Sequence, residues 1–118
     1  MSSLTKAIRS LKAPVRRGTE EEMRLTRRIA QALQIEEDSG YSTDTLIGGA
    51  LEGDLCAVMG LFAMVLPEWE IGDGVNQPSD WFVAQLYSPN GVIVEGEGAT
   101  FVLAVIDGVI SAKNLSCK

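Results

Sequence analysis

Residues 81–97, Trp81-Phe82-Val83-Ala84-Gln85-Leu86-Tyr87-Ser88-Pro89-Asn90-Gly91-Val92-Ile93-Val94-Glu95-Gly96-Glu97, decide the fold. Residues 81–88 alternate aromatic, β-branched and small side chains, the period of a strand. Pro89-Asn90-Gly91 is a tight turn, because proline presets φ and Asn-Gly accepts positive φ. Residues 92–97 are the returning strand. The pair predicts a β-hairpin.

Reading outward, residues 73–80 hold Gly74, Asn76, Pro78 and Ser79, which predicts a loop. Residues 69–72 are a first short strand before it. The sheet is therefore expected to be a three-stranded antiparallel meander. After the hairpin, Gly98-Ala99-Thr100 opens a helix to about Ala112, apolar on two faces and interrupted by Asp107. Residues 113–118 are expected to be a frayed tail.

Before the sheet the pattern is helical. Asp54 caps a helix in which Leu55, Val58, Met59, Phe62 and Val65 recur at helical spacing, and Pro67 ends it. Ala57, Leu61 and Met64 make its other side apolar, which asks for a second packing partner. Residues 41–53 read as a helix with a bend near Gly48-Gly49. Thr19 to Glu22 form a capping box for a helix running to about Gln34. Met23, Ala30 and Leu33 are expected along its inner side, with Ile29 beside them, and Arg24, Arg27, Arg28 and Gln31 along its outer side. Leu4, Ile8 and Leu11 mark a short basic amphipathic helix ended by Pro14. Such a helix is marginal alone and must dock to be ordered. The expected organisation is a basic arm (1–18), one α+β domain (19–113) and a tail (114–118).

From Tyr41 onward the motifs come in a recognisable order. A Ser/Thr/Asp-capped helix rich in alanine and leucine ends in Pro67-Glu68-Trp69-Glu70. A Trp-headed strand, Trp81-Phe82-Val83-Ala84-Gln85-Leu86, follows. Val94-Glu95-Gly96-Glu97 and Gly98-Ala99-Thr100 then lead into an apolar helix. Over about residues 23–112 the chain resembles small phage proteins carrying the phage alpha-beta-alpha sandwich domain. It has Phe101 where that group often has proline, and residues 46–53 run longer. The resemblance implies a phage context and a fold, and it carries over no catalytic residue.

Composition narrows the chemistry. The chain has 118 residues, no histidine, and two cysteines without metal-type spacing, Cys56 in an apolar run and Cys117 near the end. Cys56 reads as a small core residue. Without histidine the commonest general base and metal ligand is missing, so no catalytic centre and no cofactor is expected. The longest apolar run, 55–66, is far short of the roughly twenty residues a bilayer needs, and no signal peptide is visible. The expectation is a cytoplasmic protein.

Charge is divided along the chain. Residues 1–28 carry eight basic and three acidic side chains, giving 8 − 3 = +5, and residues 29–118 carry two and thirteen, giving 2 − 13 = −11. Arg16, Arg17, Arg24, Arg27 and Arg28 could grip phosphate, meet the acidic body of a neighbouring subunit, or simply be solvated. Trp69 and Trp81 could stack on a base, or serve as core or interface aromatics. The pairs Glu68/Glu70 and Glu95/Glu97 could share a strand face around a metal or sugar, or be a solvated face that keeps a sheet edge soluble. The acidic body disfavours duplex DNA.

Two functional expectations follow. One is a homo-oligomeric binding protein that sequesters a small anionic, nucleotide-type host immune signal, a phage sponge, with arginines and a tryptophan lining its pocket. The other is an acidic inhibitor that occupies the basic cleft of a host enzyme, of the anti-defence or DNA-mimic type.

Overall fold

The computed structural model describes residues 3–12, 15–16, 18–33, 43–72, 75–76 and 81–116. Five helices and four short strands follow the chain: α1 (Ser3–Ser10), α2 (Glu20–Leu33), α3 (Thr43–Glu52), α4 (Leu55–Val65), β1 (Glu70–Ile71), β2 (Val75–Asn76), β3 (Phe82–Tyr87), β4 (Ile93–Gly98) and α5 (Phe101–Ser116). The fold is α+β, a three-row antiparallel meander packed against helices.

The hairpin forms as its turn dictates. The Ser88 N–H donates to the Val92 carbonyl at 2.9 Å, and Gly91 takes φ of 86°. β3 is the central strand. β4 pairs along one side of it, from Phe82↔Gly98 to Tyr87↔Ile93. β1 and β2 lie in line along its other side, with Ile71↔Leu86 and Val75↔Val83. Between those two pairs the edge row advances four residues and β3 three. The segment expected as a loop therefore contributes Val75–Asn76 to the sheet.

Alternation sends Ala84, Leu86, Val94, Gly96 and Gly98 to one face, where all are buried. That face receives α5. A Cβ on Gly96 would collide with the Ala104 carbonyl and the Gly108 backbone, so glycine is what lets helix and sheet touch here. α5 is buried from Val102 to Ile110. Its far side meets α2, α3 and α4, so its two apolar faces are satisfied within one chain. Thr100 caps it, accepting from the Leu103 N–H at 3.1 Å. It continues to Ser116, past the expected end near Ala112.

The helical half shows several departures from expectation. α3 is one continuous helix, and a Cβ at Gly49 would lie 3.0 Å from the Cβ of Ala57 on α4. Gly49 allows two helices to approach, and the glycine pair does not break α3. Asp54 caps α4 through the Cys56 and Ala57 N–H groups. The buried residues of α4 are Val58, Leu61 and Phe62, which leaves Cys56 off that face and exposed, not in the core. Thr19 caps α2, accepting from the Glu22 N–H at 3.2 Å. The buried side of α2 is Glu22, Leu25, Thr26, Ile29 and Leu33. Met23, expected inside, is 54% exposed and stands among the arginines.

The N-terminal segment is docked. Leu4, Ile8 and Val15 belong to the one hydrophobic core, and the Val15 N–H donates to the Leu51 carbonyl at 2.7 Å. α1 rests on α5 and the end of β4.

Candidate functional site

A connected polar constellation is built from three distant parts of the chain. Asp107, on the buried stretch of α5, is 0% exposed. Its Oδ2 accepts from the Arg9 Nε–H on α1 and from the Glu97 backbone N–H on β4, both at 2.9 Å. Its Oδ1 is buried with no hydrogen-bond partner among the described residues. Burial pushes the Asp107 carboxyl above the usual range for an aspartate, while the Glu97 N–H and Arg9 pull it down. The Glu97 side chain continues the chain of contacts. Its Oε2 lies 3.5 Å from Arg9 Nη1, and its Oε1 accepts from the Trp81 indole N–H at 3.1 Å. Asp107, Arg9, Glu97 and Trp81 thus form one connected series that fixes the end of α1 against the sheet.

Beside that series opens a cleft of about 680 Å³, lined by Arg9, Ser10, Leu11, Lys12, Trp81, Phe82 and Ala99. Its walls are the C-terminal end of α1 and the starting end of β3. Trp81 and Phe82 give it an aromatic side. Lys12 is exposed at its rim. With both acids ionised, Arg9 and Lys12 are balanced by Glu97 and Asp107, so the positive character of the opening rests on Lys12. The volume falls within the range of small-molecule sites.

The arginines singled out from the sequence lie elsewhere. Arg24, Arg27 and Arg28 border a shallow groove of about 260 Å³ on the outer face of α2, with Glu20, Met23 and Gln31. Arg16 is exposed before α2, and its carbonyl accepts from the Thr19 hydroxyl at 2.8 Å. Arg17 lies outside the described residues. Trp69 is half-buried and packs against the core beside α4. The structure therefore joins Trp81 to Arg9 and Lys12, and it groups the α2 arginines away from either tryptophan.

Neither carboxylate pair gathers into a metal cluster, and no group of three candidate ligands occurs among the described residues. Glu95 and Glu97 do share one strand face, but Glu97 is taken up by Trp81 and Arg9. No described helix is long and apolar enough to cross a membrane.

Lys12 and Phe82, which line the cleft, and Arg9 and Asp107, which meet beside it, are site residues that sequence reasoning missed. For Asp107 the signal was present: a single carboxylate inside the apolar run 101–112 requires a buried partner. Nothing local says that the partner lies 98 residues upstream. Comparison with known proteins found no family model, no curated protein and no solved structure that matches this chain.

Proposed function

We propose that this chain is a binding protein and not an enzyme, and that its ligand is a small anion with a planar ring, of nucleotide type, held in the cleft between α1 and the start of β3. The observation that carries the reading is the joint lining of one cleft by Trp81, Phe82, Arg9 and Lys12. The Trp81 indole suits a flat ring by stacking, with Phe82 packed against the core beside it, and the exposed Lys12 ammonium suits a negative charge. Trp81 is already oriented by Glu97, so less ordering remains to be done on binding. The near balance of charge around the cleft favours a ligand with one phosphate over a polyphosphate. In this reading the chain is a phage-encoded sponge that works in the host cytoplasm, and the holding of a host immune signal needs no chemistry.

The test is tryptophan fluorescence on a Trp69→Phe variant, which leaves Trp81 as the single reporter. Mononucleotides and cyclic nucleotides should change its emission saturably. The additional change Lys12→Ala should weaken binding by about tenfold, the scale of one charge-assisted contact. Emission that ignores every nucleotide at millimolar concentration would remove the assignment.

A second reading draws on the exposure of Glu52, Glu68, Glu70 and Glu95. Such a surface suits a basic cleft on a host enzyme. It predicts a protein complex whose affinity falls steeply with salt.

A further inference from the structure

The body is layered, and its two outer faces carry opposite character. On one side the meander turns its uncovered face outward. Glu70, opposite Tyr87, and Glu95, opposite Gln85, lie on that face, as does Ile93, opposite Tyr87. Glu70 and Glu95 are exposed, and Ile93 is 57% exposed. Among the described residues α5 covers only the other face of the sheet. Beyond α5 lies α2, whose outer face presents Arg24 and Arg27, both exposed, around the exposed Met23. One face is thus acidic around an apolar centre of Ile93 and Tyr87. The opposite face carries Arg24, Arg27 and Arg28 against Glu20 in the same groove, and so is basic on balance around an apolar centre of Met23.

We infer that the α2 face of one copy docks on the open sheet face of a second copy, giving a head-to-tail homo-oligomer. Three arguments select a second copy as the occupant. The partner surface that Arg24 and Arg27 need is present on the same chain, in reach of any neighbour. An exposed methionine and an exposed isoleucine each leave apolar area that mutual docking would cover. The body measures 35 × 34 × 26 Å, so a flat face offers the roughly 800 Å² per partner typical of stable interfaces. The two patches lie on different sides of the molecule. The contact is therefore heterologous, and it closes into a ring or grows as a filament. This inference stands apart from the ligand cleft, whose lining residues it does not use.

The experiment is sedimentation velocity and native mass spectrometry at about 50 mM and 500 mM salt, where screening separates charged contacts from apolar ones. Wild type should associate at low salt and shift toward monomer at high salt. Two variants, Arg24→Glu/Arg27→Glu and Glu70→Arg/Glu95→Arg, should each be monomeric and folded by circular dichroism. Mixed together they should re-associate, because the acidic α2 of one then faces the basic sheet of the other. A wild type that is monomeric at ~100 μM in low salt overturns the inference. So does association that survives both charge reversals, or a mixture that stays monomeric. If one variant fails to fold, the other alone still decides, since either reversal must abolish self-association.

Discussion

Replacing Asp107 two ways separates what its acceptor oxygen does from what its charge does. Asp107→Ala removes the acceptor used by the Glu97 N–H and by Arg9 Nε, both at 2.9 Å. Stranding a buried donor costs about 1–3 kcal/mol. The Arg9 side chain keeps some water contact, being 22% exposed, and keeps Glu97 beside it, so its share lies at the low end. The two losses sum to about 3 kcal/mol, a fall in Tm of roughly 10 °C for a chain of this size. Asp107→Asn differs. Its carbonyl oxygen can stand where Oδ2 stood and accept both bonds, and its amide replaces an Oδ1 that had no partner. The change should stay within about 1 kcal/mol of wild type. The pH dependence supplies the sign. Burial raises the Asp107 carboxyl in the folded state, so the folded chain holds that proton more tightly than the unfolded one. The contribution of Asp107 to stability is therefore complete below the unfolded value and is lost as pH rises through the folded one. Asn carries no such dependence. Urea unfolding from about pH 4 to pH 8 should show the Asn variant gaining on wild type as pH rises, then levelling off. The reasoning is refuted if Ala is no worse than Asn, or if wild type gains on Asn over that range.

Three further outcomes are expected. Gly96→Ala forces a methyl into the α5 backbone and should cost at least 3 kcal/mol, or prevent folding, as read by thermal melts. A Gly91→Ala control on the exposed turn should cost only about 1 kcal/mol, since a Cβ there meets nothing and only the positive φ is strained. In a Cys117→Ser background, Cys56 should react with a thiol reagent in the folded protein about as fast as in urea, because it is exposed on α4; protection would contradict its placement. Asp54→Ala should lose about 1 kcal/mol by removing the acceptor for the Cys56 and Ala57 N–H groups, while Asp54→Asn retains most of it.

The hairpin and the helix caps were legible because their causes are local. Ser88 to Val92 contains its own turn chemistry, and Thr19 and Asp54 each bond amides two or three residues away. The α5 stretch was read as apolar on two faces interrupted by Asp107, and it is buried from Val102 to Ile110. The phase of α2 was not legible. Apolar residues at 23, 25, 29, 30, 32 and 33 allow more than one stripe, and the true inner face includes Glu22 and Thr26. Cys56 misled for the same reason, since an apolar run does not say which of its members faces the core. The glycine pair at 48–49 looked like a break, because propensity counts the cost of glycine and cannot see the helix it admits.

The amino-acid sequence by itself determined the order of helices, then sheet, then helix, the meander apart from β2, the absence of histidine and the split between a basic start and an acidic remainder. Each of these depends on residues within a few positions of one another, or on a count. Only the tertiary structure decided that Arg9 reaches Asp107, that Trp81 opens on Lys12, and that the α2 arginines stand apart from both tryptophans. Those relations follow from how α1 seats on α5 and β4. Seating is set by the burial of Leu4 and Ile8 in a shared core, a cooperative gain in apolar contact that no local pattern encodes.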